Sequence, residues 1–245
     1  MNARTLFLSA TMAVAVAGAA TLALAADRTV GSGQVKTEQR PASGFQAVEA
    51  DGSIDVVLRQ GTREGVEVRA DDNLLPLVET EVVERSGVPT LRIRTARGAS
   101  FHTRQGIVVT VDLVALTSVT MNGSGDLRAE RLQAPALRLN IHGSSDARIG
   151  QLGTDELSLN IAGSGDVKAG GSARALTVAI AGSGGVDTRE LASEDVKVSI
   201  AGSGSARVNA RRDLQVSIAG SGEVSYTGDP TLHRSIIGSG SVRKR

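Results

Sequence analysis

Leu157-Ser158-Leu159-Asn160-Ile161-Ala162-Gly163-Ser164-Gly165-Asp166-Val167-Lys168 returns, little altered, as Leu176-Thr177-Val178-Ala179-Ile180-Ala181-Gly182-Ser183-Gly184-Gly185-Val186-Asp187. The same motif opens at Gly123, Gly143, Gly163, Gly182, Gly202, Gly220 and Gly238, at spacings of 20, 20, 19, 20, 18 and 18 residues. Such a period is that of stacked structural repeats, and seven copies exceed the three or so that stability requires. Two residues before each glycine stand Met121, Ile141, Ile161, Ile180, Ile200, Ile218 and Ile236. Four before it stand Val119, Leu139, Leu159, Val178, Val198 and Val216, with Arg234 breaking the rule in the last copy. Strict period two marks a strand with one buried and one exposed face, whereas a helix would scatter these residues around its axis.

Beyond the corner a shorter strand begins at Leu127, Ala147, Val167, Val186, Ala206, Val224 and Val242. The glycines between the strands supply the positive φ that a sharp turn needs. Each copy is thus expected to be one coil: strand, glycine corner, short strand and a variable return loop such as 169–175. A coil cannot bury its aliphatic side chains alone, so successive coils must stack at strand spacing. The expected fold is all-β, a right-handed parallel β-solenoid (β-helix) of about seven C-terminal coils, each hiding four or five aliphatics.

Working outward, residues 44–116 are β-rich but less regular. Ser53 to Leu58 and Gly65 to Arg69 flank Gly61-Thr62-Arg63-Glu64 as an expected hairpin. Asp71 to Pro76 reads as a turn with a short helical piece, while Leu91 to Arg94 and Ile107 to Val111 read as strands. This half would be the cap or a set of irregular early coils. The expected organisation is a signal peptide at 1–25, a flexible segment at 26–43, the cap at 44–116 and the repeat solenoid at 117–245. Arg4, the Ala/Val/Leu run from Leu6 to Leu24 and the Ala23-Leu24-Ala25 site compose that signal. An uncleaved anchor is the alternative, since the run approaches the roughly 20 residues that span a bilayer.

Gly44-Phe45 followed by Val48, Asp55-Val56-Val57-Leu58-Arg59-Gln60-Gly61, Asp71-Asp72-Asn73-Leu74-Leu75, and Leu116-Thr117-Ser118-Val119 leading into the repeats form a recognisable set. Over about residues 44–240 the sequence resembles the bacterial DUF2807, or head GIN domain, family, whose members carry the label auto-transporter adhesin. The resemblance implies an exported β-solenoid protein. The auto-transporter part of the label is not expected to transfer, because Ser241-Val242-Arg243-Lys244-Arg245 leaves no room for a membrane barrel.

Composition narrows the chemistry. The 245 residues include no Cys and no Trp, and only Phe7, Phe45, Phe101 and Tyr226 are aromatic. Without cysteine there is no disulfide, thiolate metal site, thiol nucleophile or lipid anchor through Cys. Lys and Arg number 27 against 26 Asp and Glu, and loss of Arg4 on cleavage would leave 26 of each. A neutral chain is not expected to bind nucleic acid or to insert stably in a membrane after cleavage.

Among candidate sites, the sharpest is a column of cations two residues after the post-corner acid: Arg128, Arg148, Lys168, Arg207 and Arg243, with Asp187 and Ser225 in the other copies. A stacked cationic stripe could hold anionic polysaccharide or lipopolysaccharide phosphates. The plainer alternative is that each cation pairs with the acid of its own strand. The acids themselves (Asp126, Asp146, Asp166, Glu223) could ladder calcium, but Gly185, Ser205 and Ser241 interrupt them and a structural turn is preferred. Asn140, Asn160, Ser199, Ser217 and Ser235 suggest an inter-coil hydrogen-bond ladder before a glycan-binding face. His102, His142 and His233 share no ligand spacing, and no Ser-His-Asp set assembles; no catalytic residue, metal or cofactor is expected. The expected function is a non-enzymatic, adhesin-like module of the periplasm or cell surface, binding envelope glycan or a surface protein. Two alternatives are a polysaccharide-active enzyme, against which the shortage of groove aromatics weighs, and a structural protein that assembles by end-to-end coil stacking.

Overall fold

The computed structural model describes residues 28–245, so the expected signal at 1–25 lies outside the described residues. Strands Leu127–Gly143, Ala147–Gly163, Asp166–Gly182, Gly185–Gly202 and Ser205–Gly220 stack in parallel, each glycine of the corner pairing with its counterpart in the next coil. Strands Ser118–Gly123 and Thr231–Gly238 extend the same column at its two ends. The seven expected corners enclose about six turns, one fewer than the corner count because each turn runs from one corner to the next.

The return segment is a strand, not the loop expected over 169–175, which lies within Asp166–Gly182. The burial sequence shows how. Leu127 and Ala129 point inward, Glu130 and Arg131 both point out, Leu132 and Ala134 point in, Pro135 and Ala136 both point out, and Leu137, Leu139 and Ile141 point in. Two consecutive outward residues reset the period-two phase, so the chain rounds a corner and keeps its aliphatics inside. The coil therefore has three sides and buries seven aliphatics here rather than four or five. Coil-length differences are absorbed at the second corner, where the register shifts between Ile149 and Leu152 and again between Lys168 and Gly171.

The glycine corner is fixed by contact with its neighbour. Gly202 has φ +127, and a Cβ there would lie 2.4 Å from the carbonyl oxygen of Gly182. That oxygen cannot retreat, because it accepts the amide of Ser203 at 2.9 Å. Glycine is thus required both by backbone conformation and by the close approach of the next coil.

An eighth member of the column precedes the repeats. Strand Ala47–Gly52 pairs in parallel with Ser118–Gly123, placing Gly52 against Gly123, and strand Asp55–Gln60 pairs with Leu127–Gly143 through Val56 and Leu127. Residues 47–60 are a coil of the same solenoid, and the chain leaves it before resuming at Ser118. The hairpin expected across 61–64 does not form. Strand Val108–Leu113 lies between its two arms, parallel to Asp55–Gln60 and antiparallel to Gly65–Asp71. Val109 and Val111 of that strand are fully buried, so it covers the end of the core where a hairpin would have left it open.

The parallel stack ends here in antiparallel pairs. Strand Val88–Thr95 continues it beneath Ala47–Gly52, and Val78–Arg85 closes it in antiparallel register; Gly65–Asp71 and Val35–Arg40 do the same on the neighbouring side. The stretch expected to be a flexible lead-in over 26–43 therefore carries strands Thr29–Val30 and Val35–Arg40. Its unbroken polar run after Val35 hid the signal, since Val35–Arg40 is an edge strand with little to bury. Asp71, Asp72 and Asn73 fasten it. Asp71 is buried and accepts the Gly33 amide at 3.0 Å and the Thr103 hydroxyl. Asp72 accepts the Ser32 hydroxyl at 2.6 Å, and Asn73 both accepts the Ser32 amide and donates to the Val30 carbonyl. As expected, a short 3₁₀ turn, Leu75–Leu77, follows.

Candidate functional site

Outward positions of the second side, just past the glycine corner, carry the expected cations. The strand register places Arg128 against Arg148, Arg148 against Lys168, Lys168 against Asp187, Asp187 against Arg207, Arg207 against Ser225 and Ser225 against Arg243. All five cations therefore fall in one ladder, at the strand spacing of about 4.8 Å per step. Below Arg128 the next member is Val57, which ends the charge.

Pairing along the ladder is uneven. Arg128 follows the plain expectation and bonds Asp126 of its own strand at 3.1 Å. Lys168 reaches Glu190 at 3.5 Å and Arg243 reaches Glu223 at 3.7 Å, both on neighbouring coils rather than on their own strands. Asp187 is taken by Arg189 of its own strand, whose guanidinium hydrogen bond holds the carboxyl below the ordinary carboxylate value against the opposing effect of burial. Arg207 adds a smaller attraction in the same direction. Arg148 and Arg207 have no ion-pair partner among the described residues.

Two open depressions lie along this ladder. One, of about 400 Å³, is bordered by Arg148, Lys168 and Arg207 together with Asp146, Asp166 and Asp187. The other, of about 590 Å³, lies at the N-terminal end, where Arg59 and Arg131 join Arg128 and Arg148 around Val57, Ala129 and Gly150. Arg148 borders both. Arg59 and Arg131 escape the sequence pattern for clear reasons: Arg59 belongs to the coil whose corner lacks the second glycine, and Arg131 stands in the second bend, off the column. The sequence clues to Arg59 are the Gly52-Ser53 corner that precedes it and its place in the Asp55 to Gly61 motif.

The acids of the corner have structural partners. Asp55 accepts the Asp126 amide at 2.9 Å, and Asp146 accepts the Asp166 amide at 3.0 Å, so each carboxylate ties its coil to the next. The polar column is a ladder over part of its length: Asn140 donates to Thr120 at 3.2 Å and Asn160 to Asn140 at 3.0 Å, and Ala179 interrupts it. His102, His142 and His233 are exposed in separate places, His233 near Asp213. Among the described residues no helix is long and apolar enough to cross a membrane.

Comparison with known proteins agrees with the fold. A family model, DUF2807, described as "Putative auto-transporter adhesin, head GIN domain", matches residues 44–230. Among solved structures, a "putative adhesin" of Bacteroides fragilis is similar at a TM-score of 0.79 and 22% identity, covering 88% of this chain and 99% of its own. A "putative adhesin" of Parabacteroides distasonis is similar at a TM-score of 0.72 and 25% identity, covering 89% and 100%. A "putative lipid binding protein" of the same organism is similar at 0.71 and 26%, covering 89% and 99%. No curated protein matches.

Proposed function

The chain belongs to the DUF2807, head GIN domain family, and on that premise we propose that it is an exported, non-enzymatic, adhesin-like binding protein of the cell envelope or surface. Its cationic ladder is the binding surface, and its partner is an anionic envelope polysaccharide or a surface protein that presents matching acids. The observation that carries this is the register that stacks Arg128, Arg148, Lys168, Arg207 and Arg243 in one line, with Arg148 and Arg207 making no ion pair among the described residues. A regular row of guanidinium and ammonium donors suits a polymer whose own charges repeat, and Arg in particular grips carboxylate, sulfate or phosphate through two parallel hydrogen bonds. Adhesin descriptions among its relatives support a binding role, and the export motif before residue 26 supports an envelope location.

The test is an array of anionic and neutral glycans, including lipopolysaccharide, paired with pull-down of purified surface proteins. Wild-type protein should retain an anionic partner and release it as salt rises, since exposed charges are screened within about 8 Å at physiological ionic strength. The triple variant Arg148→Gln/Lys168→Gln/Arg207→Gln should lose that partner while melting at the wild-type temperature. A blank array together with a blank pull-down would remove the binding role.

A further inference from the structure

The ladder changes character at its N-terminal end. Where one more cation would continue the column there is Val57, in register with Arg128. Two coils on, the same depression is lined by Gly150, held to glycine by the Glu130 carbonyl, 2.8 Å from where a Cβ would stand. A shallow bowl of about 590 Å³ results, floored by the half-buried side chain of Val57 and the bare backbone of Gly150, with Arg59, Arg128, Arg131 and Arg148 around its rim. The four cations are not equally free. Arg59 is held by Asp112 through two contacts, at 2.8 and 3.3 Å, and Arg128 by Asp126. Arg131 bonds only the amide oxygen of Gln151, at 3.3 Å, and Arg148 has no carboxylate partner among the described residues. Glu130 is the one acid in the lining.

We propose that this bowl is a subsite for a single acidic sugar unit, a pyranose ring bearing a carboxylate or sulfate, within a linear anionic polysaccharide. The inference rests on the ladder being a binding surface and adds where along it selection occurs. An apolar floor of this size accepts the C–H face of a sugar ring, which a flat row of charges cannot do. Arg131 and Arg148 grip the oxyanion, being the two guanidiniums whose donors are uncommitted to a carboxylate. Arg59 and Arg128, oriented by their carboxylates, donate to ring hydroxyls. Farther along, the depression bordered by Lys168 and Arg207 carries three acids, Asp146, Asp166 and Asp187, where the bowl carries one.

Titration calorimetry of the full chain with four probes tests this: an oligogalacturonate hexamer, a heparin hexasaccharide, maltohexaose and inorganic polyphosphate. At least one acidic oligosaccharide should bind, and maltohexaose and polyphosphate should each bind at least roughly ten-fold more weakly. Arg131→Gln and Arg148→Gln should each weaken that binding roughly ten-fold or more, the loss expected for a hydrogen bond to a charged group, with Arg207→Gln changing it by less than about three-fold. Val57→Arg separates shape from charge, since it lengthens the cationic column but fills the bowl. It should weaken the oligosaccharide and leave polyphosphate equal or tighter. Tighter oligosaccharide binding by Val57→Arg, equal losses in Arg148→Gln and Arg207→Gln, or polyphosphate binding as strong as the sugar would overturn the subsite and leave the ladder as a plain charged surface. Failure of all three anions to bind would overturn the subsite, and the ladder as a binding surface falls with it if the pull-down of surface proteins is blank as well.

Discussion

Facing is the property each residue of the repeat must satisfy, and adjacent positions make it measurable. Ile200 is buried at 1% exposure in the middle of the stack, while Ser199, one residue earlier, is exposed. Ile200→Asp should lower stability by more than about 4 kcal/mol, because it places an unpaired charge among aliphatics, and Ser199→Asp should change it by less than about 0.5 kcal/mol. Chemical denaturation of the two variants checks this, and equal damage would show the facing to be wrong. Acid should act through a few surface carboxylates. Asp187 is held low by the hydrogen bond from Arg189, Asp195 by that from Arg212, Asp229 by that from Lys244 and Asp72 by those from Ser32 and Lys36. A folded-state pKa below the unfolded value contributes stability that is present above the unfolded value, near 3.9 for Asp, and lost as pH falls through the folded one. The melting temperature should therefore hold from neutral pH down to about pH 4 and fall below it. Asp187→Asn should show a shallower acid fall than wild type, and an identical slope would contradict the assignment.

At the scale of elements, much was legible because the repeat writes its own alignment. Ile141, Ile161, Ile180, Ile200 and Ile218 announce the inward column, and Arg128, Arg148, Lys168 and Arg207 announce the outward one, since both recur with the glycines. What was hidden lies where that clock stops. Glu130-Arg131 and Pro135-Ala136 look like loop residues when read singly, and only the resumed phase at Leu132 and Leu137 reveals bends within a continuous strand. Val108–Leu113 was legible as a strand but not as the partner of Asp55–Gln60, because pairing across so long a separation leaves no local trace. Val35–Arg40 was missed because an edge strand that is polar from Lys36 to Arg40 resembles a linker. Its attachment depends on Asp71, whose buried carboxylate bridges Gly33 and Thr103. Asp71→Ala should leave the repeat coils protected but speed amide exchange through Lys36–Arg40 by about ten-fold or more, from the loss of roughly 1.5 to 3 kcal/mol of charge-assisted hydrogen bonding. Unchanged exchange there would show that strand pairing alone holds the segment.

For the whole molecule, stability and recognition have one origin. In-register stacking closes the aliphatic core, and the same register turns one outward position per coil into a line of charge. Coils contact only their neighbours, so the solenoid behaves as a one-dimensional array whose interior depends on every step being parallel and in phase. The antiparallel strands at its N-terminal end stop that array. With no cysteine in the chain, pairs of spin labels can be introduced cleanly on the polar column. The direct test is pulsed electron paramagnetic resonance on double-cysteine variants that keep Asn140→Cys and move the second label from Asn160 to Ala179, Ser199, Ser217 and Ser235. Mean distances should lengthen by about 4.8 Å with each coil, to roughly 24 Å between the backbones of Asn140 and Ser235, five steps apart. Distances that fail to rise with coil number, or that rise in uneven jumps, would contradict the stack.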